Sequence, residues 1–193
     1  MTAPYLRAVE NTRTAVSTQD GHRVVGPVAY ASDISWNVVA KNPGFDEMFL
    51  GAPPDNMFYW LAKHGAPQLP DHDSEWLGLL LPQLRALLAR HSGHPELAQL
   101  RRWCEQTDGV ADAWVRTRHR SYQTPDGDIR PFVHPEYGFG ALELGCMAMP
   151  QGDDIDLRVF MVDFHIGVTP SDMRKRRFAS MSSAAASRKE SRL

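Results

Sequence analysis

Long apolar runs, cysteines and excess charge are all scarce in this sequence, and each shortage argues against a class of protein. No stretch of about 18 consecutive apolar residues occurs, so the sequence predicts no membrane-spanning helix. The amino terminus lacks the apolar core of a secretory signal peptide. The two cysteines, Cys104 and Cys146, lie within apolar patterns. They favour a reducing, cytoplasmic setting over a disulfide framework.

Catalytic and metal-binding motifs are also missing. The sequence has no glycine-rich phosphate loop, no nucleophile elbow and no Cys–His pairing with a local signature. His91 and His94 have a ligand-like spacing, as do His64 and His72, but no cysteine or glutamate stands at a supporting position. We therefore expect no metal site, no cofactor and no enzymatic activity.

The composition is that of a globular domain followed by a tail. The chain has 193 residues, of which 42% are hydrophobic, and a net charge of -2, which argues against a general attraction to nucleic acid. Residues 1–23 predict a flanking helix, Pro4–Val16, and a polar linker, and residues 24–168 predict the domain. Residues 169–193 predict a basic Ser/Ala-rich tail, disordered or conditionally helical. Its basic cluster, Arg174–Arg177, either touches phosphates or only improves solubility.

Alternating apolar residues predict the strands. We predict an α+β fold, in which helices inserted between strands 2 and 3 of a five-stranded, antiparallel sheet cover one of its faces. Six segments read as extended, one more than the five strands counted for the sheet: Val24–Ala31, Ile34–Val39, His119–Thr124, Ile129–Val133, Ala141–Met149 and Ile155–Phe164.

The helices are predicted from their caps and their apolar periodicity. Asn42 followed by Pro43 starts one helix, because Asn caps free N–H groups and Pro is tolerated at the first helical position. Asp55 is expected to cap the next. The longest helix should run from Asp73 or Ser74 to His91, with a kink or break near Gly78 caused by Pro82.

Several short motifs, in their order and spacing, resemble the MmyB-like ligand-binding domain of bacterial XRE-type helix-turn-helix transcription regulators, a PAS-like sensory module. The resemblance covers about Gly26 to Phe164 of this sequence. It rests on Trp36-x-Val38-x-x-x-Asn42, Asn56–Leu61, Leu84-Arg85, Ala113–Arg118, and His134-Pro135-x-x-Gly138 followed by Leu142-x-Leu144. The resemblance implies a cup for an apolar, fatty-acid-like ligand and a role in transcription regulation.

Two departures from the family pattern affect these expectations. Asp55 stands where the family usually has an arginine before Asn56, which puts any anion contact by that arginine in doubt. Family members usually carry an N-terminal helix-turn-helix, whereas only about two dozen residues precede the first predicted strand here. We therefore expect a separate DNA-binding regulator as partner, and no sequence-specific DNA binding by this chain alone.

The candidate ligand-binding residues are bulky groups over the expected cup and polar groups at its edge. They are Phe49, Phe58, Trp60, Trp76, Leu80, Leu84, Trp114, Arg130, His134, Leu144, Cys146 and Met161. Arg116 and Arg158 are further candidates for holding a carboxylate. Each has an alternative role: the apolar groups as ordinary core, the arginines as solvated edges, and His134 as a turn-stabilising residue before Pro135.

The last predicted strand should present one side chain row to the helices and the other to a second face. We place Leu157, Val159 and Met161 under the helices, opposite Leu142, Leu144 and Cys146. The row Phe160, Val162 and Phe164 would then form an apolar second face, covered by the N-terminal helix or by a homodimer partner. The predicted function is small-molecule sensing, the alternatives being a small enzyme using the same cup or an interaction module with a filled core.

Overall fold

The computed structural model describes residues 4–151, 155–175 and 178. The strands are β1 (Ala15–Gln19), β2 (His22–Ser32), β3 (Val38–Lys41), β4 (Asp128–His134), β5 (Gly138–Gln151) and β6 (Ile155–Ile166). The α-helices are α1 (Pro4–Asn11), α2 (Pro43–Glu47), α3 (Met57–Tyr59), α4 (Gly78–Arg90), α5 (Pro95–Gln106) and α6 (Val110–Arg116). Two π-helical segments, Trp60–His64 and His72–Leu77, and two 3-10 turns, Ala66–Gln68 and Thr117–His119, join them.

All six strands form one antiparallel sheet in the order β1-β2-β6-β5-β4, with β3 also paired to β2. The helices between β3 and β4 pack on one face and share with it the main hydrophobic core. The predicted α+β, PAS-like class is confirmed, although the sheet has six strands rather than five.

The additional strand is β1, which the sequence analysis assigned to the end of the first helix and a linker. Helix α1 ends at Asn11, and Ala15–Gln19 pairs with β2 through Gln19 and His22. Asp20 and Gly21 both have positive φ, 47° and 79°, as a two-residue hairpin turn requires. The Asp-Gly pair was therefore a hairpin signal in the segment predicted as a polar linker.

The predicted strand Ile34–Val39 is wrong for its first half, which forms a turn. The Asp33 carboxylate accepts hydrogen bonds from the backbone N–H groups of Ser35, at 2.8 Å, and Asn37, at 2.9 Å. Trp36 has φ 63°, which is incompatible with a strand. A local side chain thus satisfies the backbone in place of a ladder, and β3 begins only at Val38.

The predicted strand His119–Thr124 is also wrong. Residues 120–125 form a loop without regular structure. The Asp126 carboxylate accepts the backbone N–H of Cys146 at 3.0 Å, where a neighbouring strand would otherwise bond. Pairing with β5 begins instead at Asp128, opposite Leu144.

The face assignment of β6 is reversed relative to the prediction. Phe160, Val162 and Phe164 belong to the core under the helices. Their direct partners on β5 are Cys146, Leu144 and Leu142, so the register places both rows on the same face. Because side chains alternate along a strand, a shift of one residue between the two rows moves the whole set to the opposite face. Val159 and Met161 consequently lie on the outer face.

The outer face is covered in part by two short helices. Val9 of α1 is buried against Ala29, Ala31, Ala40 and Val159, with Leu6 and Met161 at the margin. Residues 170–175 form a helical turn whose Met173 packs with Ile129, Ala141 and Val168. Most of the predicted tail, 176–177 and 179–193, lies outside the described residues. Within the described part of the chain, no helix combines the length and apolar character needed to cross a bilayer.

Several predicted helix boundaries are confirmed. Asn42 caps α2, accepting from the Phe45 N–H, and Pro43 is the first helical residue. The helix around Pro82 changes from π to α at Gly78, near the predicted kink or break. The predicted cap Asp55 is wrong, because the adjacent Asn56 accepts the N–H groups of α3 and also donates to the Ser35 carbonyl.

Candidate functional site

A cavity of about 90 Å³ lies between the helices and the sheet. Its floor is formed by the inward rows of four strands, and its walls by α2, α3, the two π-helical segments and α4. Loop residue Pro125 closes one side. The lining residues are Val28, Tyr30, Trp36, Phe45, Met48, Phe49, Met57, Trp60, Leu61, Trp76, Leu79, Leu80, Gln83, Pro125, Phe132, Leu142, Leu144, Phe160 and Val162.

Helix periodicity explains one wall. Trp76, Leu79, Leu80 and Gln83 are spaced i, i+3, i+4 and i+7, which puts them on one stripe of the helix. This stripe faces the cavity across the π-to-α junction at Gly78. A glutamine therefore occupies a position that the apolar pattern would reserve for a hydrophobic residue.

Aromatic rings form a continuous chain from the floor of the cavity to its helical wall. Tyr30 stacks on Phe160 at 4.7 Å between ring centroids and contacts Phe45 at 5.0 Å. Phe45 contacts Phe49, and Phe49 meets Trp60 edge to face at 4.8 Å. Rings in such contact hold one another in place, so this wall is rigid compared with the methionines that also line the cavity.

The cavity contains no charge but has polar groups without protein partners. None of its lining residues is Asp, Glu, Lys, Arg or His. Burial raises the pKa of Tyr30 well above its usual range, so its hydroxyl stays neutral. Gln83 is only 4% exposed, and its amide makes no side-chain hydrogen bond with the described residues. The indole N–H of Trp76 is likewise buried without a partner in that part of the chain.

A second, polar pocket of about 470 Å³ adjoins the first, and Leu79 lines both. Its other lining residues are Ser74, Gly78, Arg120, Ser121, Gln123 and Arg130. Arg130 is neutralised there by Glu75 at 2.6 Å and Asp128 at 2.5 Å. The Arg120 guanidinium lies over Gly78 and donates to the Ser74 carbonyl at 3.5 Å, with no carboxylate pairing to it among the described residues. It therefore contributes a positive charge to the lining of this pocket.

Arg158 closes the far end of the inward row of β6. Its guanidinium packs 4.5 Å from the Trp36 ring centroid and donates to the Ile34 carbonyl at 3.1 Å. Burial lowers the pKa of Arg158, and nearby Cys146 and Tyr30 oppose that shift. The side chain does not line the cavity, and its contacts with Ile34 and Trp36 brace the Asp33–Trp36 turn.

Phe49, Trp60, Trp76, Leu80 and Leu144, all predicted as ligand contacts, line the cavity. The structure places the others elsewhere. Phe58 and Leu84 are fully buried in the surrounding core. Trp114 packs under the Arg85 guanidinium, 3.9 Å from its ring centroid, on α6. Cys146 is half-buried beyond Leu144, and Met161 is on the outer face.

The predicted polar contacts have structural partners. Arg130 makes the ion pairs of the polar pocket. Arg116 pairs with Asp73 at the surface, 2.7 Å away. His134 is buried; its Nδ1 accepts the N–H of Glu136 at 3.1 Å and that of Tyr137 at 3.4 Å. Burial lowers the pKa of His134. Its alternative role, holding the turn after β4, is the one its contacts support.

The sequence analysis missed much of the sheet side of the cavity. Phe160 and Val162 were assigned to the wrong face, and the correct hairpin register would have recovered them. Gln83 could have been found as the polar residue within the apolar stripe of α4. Pro125 gave no signal, because a loop packed over a cavity has no periodicity.

The described residues contain no cluster of three or more His, Cys, Asp or Glu side chains suited to a metal ion. The sequence matches the family described as "MmyB-like transcription regulator ligand binding domain" over residues 23–171, more than half of the chain. No curated protein matches it.

Proposed function

Because the chain belongs to the MmyB-like transcription regulator ligand binding domain family, we propose that it senses an apolar, fatty-acid-like molecule in its cavity. The family is the ligand-binding part of transcription regulators. The observation that carries the proposal is the uncharged cavity at the centre of the main core, walled by apolar side chains on all its elements. A core that served packing alone, as in an interaction module, would be filled.

The size of the cavity limits its occupant. About 90 Å³ is less than the roughly 150 Å³ of an engineered apolar cavity that holds benzene. A chain of medium length therefore requires lining side chains to move. Met48 and Met57 are suited to this, since unbranched methionines adopt many rotamers at low cost.

Burial of an alkyl chain supplies enough free energy for sensing. Each buried methylene contributes about 0.8 kcal/mol, so eight contribute about 6 kcal/mol. Association costs at least about 4 kcal/mol. An alkyl chain alone thus gives weak binding, and additional polar contacts set the affinity and the identity of the ligand.

The regulatory output is proposed to pass to a DNA-binding partner, in the cytoplasm. A homodimer remains a prediction, but its expected interface is not available. The row Phe160, Val162 and Phe164 lies in the core rather than on the outer face.

Thermal unfolding with saturated fatty acids of increasing chain length tests the proposal. A ligand at 100 times its dissociation constant should stabilise the protein by about 2.7 kcal/mol. Val162→Phe places a ring in the cavity from the centre of its floor. This variant should remain folded and lose most of the ligand-induced shift.

Met147→Phe is the matched control, because Met147 is 59% exposed and does not line the cavity. It should retain the full shift. The proposal fails if no chain length stabilises the wild-type protein, or if Val162→Phe responds as Met147→Phe does.

A further inference from the structure

Gln83 is an unusual side chain for its position. It is 4% exposed, lies on the apolar stripe of α4 and lines the cavity. Its amide carries two donor hydrogens and one acceptor oxygen. Among residues 4–151, 155–175 and 178, no side-chain or backbone group hydrogen-bonds to that amide. The amide atoms are not among the fully buried, unpartnered atoms of the described residues, so they border the cavity space, where a ligand group can bond them.

Two other polar groups surround the same space. The Trp76 N–H, on the same helical stripe, has no acceptor among the described residues. Tyr30 belongs to the floor of the cavity, on β2, and burial raises the pKa of this phenol, which keeps it protonated. The helical wall and the floor therefore both contribute residues with hydrogen-bond donors to an otherwise apolar environment.

The charges of the site decide which chemical group fits these donors. A carboxylate would have to lose its water without meeting a cation, because no Lys, Arg or His lines the cavity. A neutral carbonyl oxygen accepts the same hydrogen bonds at a much smaller desolvation cost. The apolar walls then contact the alkyl body on either side of it.

We propose that the ligand is a neutral carbonyl compound, such as a ketone, ester or amide with an alkyl body, whose carbonyl oxygen accepts from Gln83. This inference rests on the proposed function of the cavity and specifies the polar group of its ligand. Trp76 and Tyr30 are the further donors that such an oxygen can use.

Three probes of equal carbon number separate the possibilities: 2-heptanone, heptane and heptanoate. Binding is followed through tryptophan fluorescence, since Trp36, Trp60 and Trp76 all line the cavity. Gln83→Met keeps the length of the side chain and removes its amide. It should weaken 2-heptanone binding about fivefold, the equivalent of one neutral hydrogen bond, and leave heptane binding equal or tighter. Wild-type protein should bind heptanoate more weakly than 2-heptanone.

Gln99→Met is the control, because Gln99 is exposed on α5 and does not line the cavity. It should alter neither affinity. A second readout is the unliganded protein: Gln83→Met should not lower its melting temperature, because the amide has no protein partner to lose among the described residues.

Three results would overturn the inference. One is that Gln83→Met changes the affinities for 2-heptanone and heptane by the same factor, and another is that it lowers the melting temperature of the unliganded protein. The third is tighter binding of heptanoate than of 2-heptanone, which would indicate that the ligand carries a carboxylate bound by Arg120 in the adjoining pocket. If heptane binds but the ketone preference is absent, only this inference fails, whereas failure of heptane to bind removes the proposed function as well.

Discussion

Asn42 shows how one buried amide ties the wall of the cavity to the amino-terminal segment. Its Oδ1 accepts from the N–H groups of Ala29 at 3.0 Å and Phe45 at 3.1 Å. Its Nδ2 donates to the Thr12 carbonyl, the Thr14 hydroxyl and the Pro27 carbonyl. The side chain therefore joins β2, the start of α2 and the link between α1 and β1.

Asn42→Ala should lower the free energy of unfolding by about 3 kcal/mol, because several buried backbone groups lose their partners together. Urea denaturation measures this change. Asn11→Ala, at an exposed position at the end of α1, serves as control and should change stability by less than about 0.5 kcal/mol. Equal effects of the two substitutions would show that Asn42 does not hold the segments together.

The contacts of His134 predict that the protein loses stability in acid. Its Nδ1 accepts two backbone N–H groups, which requires an unprotonated ring, and burial lowers its pKa. A histidine whose folded-state pKa is lowered contributes stability above its unfolded pKa of about 6.5, and loses it as the pH falls through the folded value. His165 has a pKa lowered by burial and by His22, and acts in the same direction.

The free energy of unfolding of the wild-type protein should therefore decrease as the pH is lowered from about 7.5 to about 5. The free energy of unfolding of His134→Gln should decrease less steeply over the same interval. Urea denaturation at the two pH values is the measurement. An identical pH dependence of wild type and variant would mean that protonation of His134 is not linked to folding.

At the scale of elements, the outer face of the sheet shows how small residues make room for a helix. Ala29, Ala31 and Ala40 form a shallow surface on which Val9 of α1 is 3% exposed. The helix has eight residues and would be marginal in isolation, so this contact stabilises it.

Val9→Asp should displace α1 and lower the unfolding free energy by about 2 kcal/mol, the value of burying one valine side chain. Glu10→Ala, its exposed neighbour, should have little effect. Denaturant unfolding distinguishes them. If Val9→Asp is as stable as wild type, α1 does not cover the sheet in solution.

Some helix boundaries could be predicted from the sequence because they depend on local chemistry. Asn42–Pro43 and the break near Gly78 are examples. The register of β5 and β6 could not, since alternation along a strand does not tell which of its two rows the helices cover. The reversed assignment of Phe160 and Val162 followed from this, as did the loss of the predicted dimer face.

The site was predicted where helical residues point inward, as for Trp76 and Leu80, and missed where the sheet or a loop contributes. Trp36 was recognised as part of a motif without its place in the cavity, because its positive φ turns it out of the strand that the alternation predicted. The polar candidates were assigned from their expected position at the rim, yet local ion pairs and turns account for Arg116, Arg130 and His134.

At the scale of the whole molecule, the sheet separates two environments. The inner face carries the aromatic core and the uncharged cavity, and the outer face carries α1, the turn at 170–175 and the acidic side chains Glu143 and Asp163 near His165. Burial and the neighbouring Glu143 raise the pKa of Asp163. The cavity and the outer surface thus lie on opposite sides of one sheet. Residues such as Asn42 connect the elements of the two sides by hydrogen bonds.

The central claim is that the cavity holds a small apolar molecule, and native mass spectrometry of the folded chain tests it most directly. Wild-type protein exposed to acyl compounds of increasing chain length should appear with one ligand bound per chain. Val162→Phe, with its ring in the cavity, should appear mainly as the bare protein under the same conditions. Bare wild-type protein at every chain length, or equal ligand retention by Val162→Phe, would contradict the account.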